Sequence, residues 1–197
     1  MPIYNAPLAD MKFILNDVFN AEQFWQANEN LAHVDAATAE AILEEMAKFA
    51  QNVTLPLNRT GDEEGATYSN GAVSTPAGFK EAFKQYAEGG WIGLAADEEW
   101  GGQAMPKMLT VLADEMLFAT NPSFMLYPLL SVGAGMALNS YASQEQKQTY
   151  LPKIYSGEWS GTMCLTEPHA GTDLGIIKTK AERNEDGTYN ITGTKIF

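Results

Sequence analysis

Between residues 7 and 19 the apolar positions include Leu8, Met11, Ile14, Leu15, Val18 and Phe19. This spacing predicts an amphipathic helix lying on a larger body. Phe24 and Trp25 add a short helical turn. A second stripe follows Asp35, a residue whose carboxylate can accept an early helical N–H. Here Ala39, Ile42, Leu43, Met46, Phe49 and Val53 face inward, and Glu40, Glu44, Glu45 and Lys48 face water. This helix is expected to end near Leu55-Pro56. Residues 57–74, with Gly61, Gly65 and Gly71 among acidic and polar neighbours, read as an exposed loop. Thr75-Pro76 then opens a helix, threonine as N-cap and proline in the first position. Phe79, Phe83 and Tyr86 share its inner face, read as core rather than cofactor pocket, and Gly89-Gly90 ends it. Trp91 to Leu94 tucks back into the core.

Pro106 opens the next helix, with Met108, Leu109, Leu112, Met116 and Leu117 inward, and Asn121-Pro122 interrupts it. Residues 123–141 are almost wholly apolar, so this helix is expected to run through the middle of a bundle, with 125–138 among its most buried segments. Its Gly133 and Gly135 permit close approach of another helix. Ser143-x-x-Gln146 is a capping box for the last helix, which closes a helical domain spanning about 1–158. From Trp159 the pattern changes to an apolar run read as a strand ending at Glu167-Pro168. A loosely alternating stretch at 178–183, a turn at Asn184-Glu-Asp-Gly187 and a returning strand at 188–192 form a hairpin. The expected class is mainly α: a helical bundle, then the first strands of an incomplete β domain over 159–197.

Composition narrows the partners. The chain has 197 residues, 45% hydrophobic, and a net charge of -13. Such a surface repels nucleic acid and anionic membranes. No apolar run approaches the ~18 residues of a membrane span. The single cysteine, Cys164, excludes an intrachain disulfide and suits a reducing cytoplasm; its place in a strand reads as a small packed hydrophobe. The adjacent Glu98-Glu99 pair reads as solvated. The two histidines, His33 and His169, lie too far apart in sequence to suggest a metal site, and His169 reads as a solvated loop residue.

Candidate chemistry is concentrated in Met163-Cys-Leu-Thr-Glu-Pro-His-Ala-Gly-Thr-Asp-Leu-Gly175. A glycine in such a loop lets backbone N–H groups approach an anion, but an ordinary turn has the same composition. The wider pattern is more specific. Leu165-Thr166-Glu167-Pro168-x-x-Gly171-Thr172-Asp173 resembles the flavin-binding motif of the acyl-CoA dehydrogenase family. Gly90-Trp-Ile-Gly-Leu94 with Glu98-Glu-Trp-Gly-Gly102, Ser143-Gln-Glu-Gln-Lys147 with Tyr150-Leu-Pro-Lys-Ile154 and Ser156-Gly-Glu158, and Gly193-Thr-Lys-Ile-Phe197 resemble three further family landmarks, in family order. The extra helix at 7–19 resembles the family's longer bacterial branch.

That resemblance implies an FAD enzyme that oxidises an acyl-CoA thioester to a trans-2-enoyl-CoA and passes electrons to an electron-transferring flavoprotein, as a homo-oligomer when complete. Carried over by position, Leu165 and Thr166 would meet the flavin pyrimidine edge, where donors at N1 and O2 stabilise developing negative charge. Gly171 and Thr172 would meet the pyrophosphate, with Thr172 also beside the CoA chain. Phe197 stands where relatives usually place tryptophan against the flavin ring. Phe124, Met125, Tyr127 and Leu129 are expected to floor the acyl pocket, Phe124 and Tyr127 as substrate contacts. The family's general base lies on a later helical domain. The chain therefore reads as an N-terminal fragment with no catalytic residue of its own, inactive alone. Two alternatives stay open: a flavin oxidase or monooxygenase on the same scaffold, and a non-catalytic helical interaction module.

Overall fold

The computed structural model describes residues 3–196. Contacts divide the chain into two compact units, Met1–Gly161 and Thr162–Phe197. The first is helical. Its α1 (Leu8–Phe13) continues into a π-turn, Ile14–Val18, and α2 (Ala21–Gln26) follows. Met11, Leu15 and Trp25 are buried, whereas Ile14, Val18 and Phe19 of the expected stripe are exposed. The wider π-turn takes these later apolar residues off the α-helical phase on which that stripe was read. The Lys12 ammonium lies 2.9 Å from carboxylates of both Glu40 and Glu44, tying α1 to α3 (Ala36–Phe49).

Asp35 caps α3 as expected, accepting from Thr38 N at 2.7 Å. The helix does not stop at Pro56. It passes through a π-turn, Ala50–Thr54, into α4 (Leu55–Glu64), where Pro56 sits in the first turn and, lacking an N–H, donates nothing to the turn before it. Carbonyls at this junction take side-chain donors instead: Thr54 Oγ1 donates to Ala50 O (3.1 Å), and Asn121 Nδ2 donates to Thr54 O (3.2 Å). The expected loop over 57–74 is thus α4 followed by a hairpin, β1 (Thr67–Ser69) and β2 (Ala72–Ser74). Asn70 and Gly71, both at positive φ (50° and 81°), turn it. Next, α5 (Phe79–Glu88) begins later than Thr75-Pro76 suggested, after Gly78 at φ 84°. The Ala77 amide is held by Glu64 Oε2 (3.0 Å), so the predicted first turn serves as the entry.

Short 3₁₀ turns at Trp91–Gly93 and Glu98–Trp100 lead to α6 (Lys107–Thr120), α7 (Pro122–Tyr141) and α8 (Gln144–Tyr155). Glu98 and Glu99 are exposed. Ser143 and Gln146 form the capping box. The buried core includes Leu43, Met46, Leu109, Met116, Leu117, Met125 and Leu151. A polar knot fastens two helix junctions inside it: the Thr54 and Thr120 hydroxyls are 2.7 Å apart, and Asn121 Oδ1 accepts from Phe124 N. The expectation of a surrounded α7 is corrected. Phe124, Met125, Pro128, Ser131 and Gly135 are buried, while Leu126, Tyr127 and Met136 are 45–55% exposed. Neighbouring helices cover only one side of it in this chain. Gly135 is the glycine that packing needs, since a Cβ there would meet the Tyr155 ring; one at Gly133 would meet nothing.

In the second unit β3 (Lys180–Arg183) pairs antiparallel with β4 (Tyr189–Thr192), in register Lys180↔Thr192 to Arg183↔Tyr189. Gly187 (φ 87°) is in its turn. No strand forms at 159–166, contrary to expectation, nor at 193–196. A strand needs a ladder, and among the described residues one backbone bond, from Ile196 N to Thr166 O (2.9 Å), joins these segments.

Candidate functional site

The loop after Thr166 is organised by one buried carboxylate. Pro168 bends the chain after Glu167, and Glu167 and Ala170 exchange backbone bonds of 2.9 and 3.0 Å. This turns the Glu167 side chain inward, where it is 2% exposed. Its Oε2 accepts from Lys178 N (2.8 Å), and its Oε1 accepts from Thr179 N (3.0 Å) and from Lys195 Nζ (2.9 Å). Thr179 foremost, then Lys178 and Lys195, hold the Glu167 carboxyl far below the usual carboxylate range despite burial. Lys195 Nζ also donates to Leu165 O at 3.1 Å. His169 is half-exposed rather than freely solvated: Nε2 donates to Ile176 O (3.0 Å) and stands 3.5 Å from Glu167 Oε2. Asp173 closes the loop by accepting from Gly175 N (3.0 Å).

The residues expected to bind flavin are brought together here. Leu165 is 43% exposed, Thr166 half-buried, and Gly171 and Thr172 exposed. Among the described residues, the amides of Leu165, Thr166, Gly171 and Thr172 donate to no protein acceptor. A Cβ added at Gly171 would meet only the Thr166 methyl, at 4.0 Å, so the backbone there faces open space. Phe197 lies outside the described residues. Cys164 is exposed, with Sγ 3.4 Å from Thr162 Oγ1, not packed as expected, because the segment carrying it is not in a sheet.

The acyl-pocket residues belong to the helical unit, and they divide. Phe124 is buried in an aromatic cluster with Phe49, Phe79 and Tyr86, at centroid distances of 5.8–6.4 Å. Tyr127 sets its ring edge-on to Phe83 at 4.8 Å. Met125 and Leu129 instead line a cavity of about 450 Å³ between α6, α7 and the Trp91–Gly93 turn. Asp114 lines it too, and burial alone pushes its carboxyl up to about 6. The sequence carried only a partial signal for Asp114: an acidic pair, Asp114-Glu115, interrupts the apolar run of α6 between Ala113 and Met116, and only the fold shows that Asp114 is the more buried of the two.

A model of the acyl-CoA dehydrogenase N-terminal domain matches residues 36–158. The chain belongs to the acyl-CoA dehydrogenase family. It is 41% identical to 3-methylmercaptopropionyl-CoA dehydrogenase of Ruegeria pomeroyi over 194 residues, covering 98% of this chain and 33% of that protein. Butyryl-CoA dehydrogenase of Megasphaera elsdenii superimposes with a TM-score of 0.69 at 25% identity, over 81% of this chain and 40% of that one. The Bacillus anthracis acyl-CoA dehydrogenase complexed with FAD also gives 0.69, at 26% identity, over 83% and 27%. The chain spans about a third of the length of the curated relative above. No helix among its described residues is long and apolar enough to cross a membrane.

Proposed function

We propose that this chain contributes to an FAD-dependent oxidation of an acyl-CoA thioester to a trans-2-enoyl-CoA, with a helical domain at about 1–158 and the start of a β domain at 159–197. One observation carries the reading: among the described residues the amides of Leu165, Thr166, Gly171 and Thr172 have no protein acceptor, and no side chain crowds the glycine in their midst. Such a row of donors fits a flavin, whose pyrimidine edge and pyrophosphate both require acceptor-seeking N–H groups. FAD supplies a two-electron acceptor when bound. Leu165 and Thr166 would hold its pyrimidine edge and Gly171 and Thr172 its pyrophosphate, with Thr172 also bordering the CoA chain; the family places its ring contact at the position of Phe197, outside the described residues. Glu167 takes no part in contact but holds Lys195, whose ammonium engages the Leu165 carbonyl.

The acyl end is assigned to the cavity beside α7. Met125 and Leu129 carry that assignment because they line the space, while Phe124 and Tyr127 pack beside it on Phe49, Tyr86 and Phe83. Relatives named as acyl-CoA dehydrogenases support the substrate class. An electron-transferring flavoprotein as electron acceptor, a homo-oligomeric complete enzyme and a cytoplasmic site are part of the same proposal, supported by the family alone.

The natural protein, once purified, is expected to be yellow, to release FAD on denaturation, and to bleach on addition of a short acyl-CoA. Thr166→Val is expected to weaken FAD binding by about 1–3 kcal/mol, the value of one buried hydrogen bond, and to slow bleaching. A colourless protein indifferent to FAD would overturn the reading.

A further inference from the structure

The cavity between α6 and α7 contains a carboxylate without a counter-charge. Among the described residues Asp114 belongs to no ion pair, and burial is the one influence on its titration. The other charged residues lining the cavity are Asp97, which accepts from Asn139 Nδ2 at 2.8 Å, and Lys107. Two carboxylates thus face one ammonium. Lys107 lies seven positions before Asp114 on the same helix, about 10 Å along its axis, so it does not neutralise that carboxylate by contact. Three aromatic side chains, Tyr86, Trp91 and Tyr155, line the same space. A volume of about 450 Å³ accommodates a group of several heavy atoms.

Net negative charge and aromatic rings in one cavity select a particular chemistry. A cation bearing N–H groups would need hydrogen-bond partners for each of them once it left water. A fully alkylated cation needs none: ring faces and one carboxylate satisfy it. A plain alkyl end would fill the apolar wall but leave Asp114 uncompensated. We infer that this cavity receives an acyl chain ending in an alkylated onium group, a quaternary ammonium or a sulfonium. This rests on the reading that the cavity takes the acyl end, and names its substrate class.

The test uses a matched pair of probes, choline and its uncharged isostere 3,3-dimethylbutan-1-ol, titrated into the 197-residue chain by NMR. Choline is expected to bind about tenfold or more tightly than the alcohol near pH 8, and to shift the Trp91 indole signal. Because the Asp114 carboxyl protonates as pH falls through about 6, that preference is expected to fade near pH 5, with helical circular dichroism unchanged as the control. Asp114→Asn is expected to abolish it. Alcohol binding with equal or weaker choline binding would overturn the inference and leave the acyl-end reading standing. Binding of neither probe, or a preference kept in Asp114→Asn or near pH 5, would also overturn it. Absence of flavin from the natural protein would instead defeat the parent reading.

Discussion

Two carboxylates, one in each unit, respond to burial in opposite ways. Glu167 is the more hidden, at 3% exposure, yet it is held strongly ionised. Asp114 is only half-buried, yet its carboxyl is pushed up to about 6. The difference lies in their partners: Glu167 accepts from two amides and a lysine, and Asp114 is given nothing. Depth sets how much each interaction is worth, but the donors present decide which protonation state gains. The units differ in the same way. The helical unit is held by apolar side chains with no exposure, such as Leu43, Met46, Met116 and Leu117. Among the described residues of the second unit only Glu167 and Ala170 are buried, so a charged hub does there what a hydrophobic core does in the bundle.

The contrast can be broken experimentally, starting where the largest effect is expected. Leu43→Ala removes fully buried apolar volume and is expected to lower the unfolding free energy of the helical unit by about 2–5 kcal/mol, read by urea denaturation. A loss well below that range would mean that this core collapses to refill the space. Glu167→Gln keeps the shape of the hub but removes its charge. The amides of Lys178, Thr179 and Ile196 are then expected to exchange with solvent roughly tenfold or more faster, as loss of a charge-assisted acceptor implies. Unchanged protection would show that the segment is ordered without the Glu167–Lys195 pair.

The pH dependences sharpen the comparison, because their signs oppose. The Glu167 carboxyl is lowered in the folded state, so its contribution is fully present above the ordinary Glu value of about 4.3 and fades as pH falls below it. The Asp114 carboxyl is raised, so the helical unit is expected to lose stability as pH rises from about 3.9, the ordinary Asp value, through about 6. Asp114→Asn should flatten that decline in thermal-unfolding scans, and an unchanged slope would assign it to another group. The smallest effect is expected at Ile191, which is 75% exposed on the hairpin: Ile191→Ala should change stability by no more than about 0.5 kcal/mol. A larger loss would mean that this strand face is covered in solution.

Local chemistry was legible in the chain. The Asp35 cap on Thr38, the Ser143–Gln146 box and the Asn184–Gly187 turn each close within four residues, so residue type and spacing determine them. The flavin motif at Leu165–Asp173 was legible for the same reason, as a contiguous run of residue types. The turn that exposes Leu165, Thr166, Gly171 and Thr172 is encoded by Pro168 and the small residues after it. Other features depended on where distant segments met. Pro56 looked like a stop until the π-turn before it placed it in the first turn of α4. The apolar α7 looked enclosed, because composition says how much surface could be buried but not which neighbours bury it. Glu167 draws its donors from 11, 12 and 28 residues away, and Asp114 meets Trp91 and Tyr155 across a cavity that exists only once the helices pack. Short-range hydrogen bonds and periodicity are properties of the sequence; the charge state of a buried carboxylate belongs to the neighbours that the tertiary structure provides.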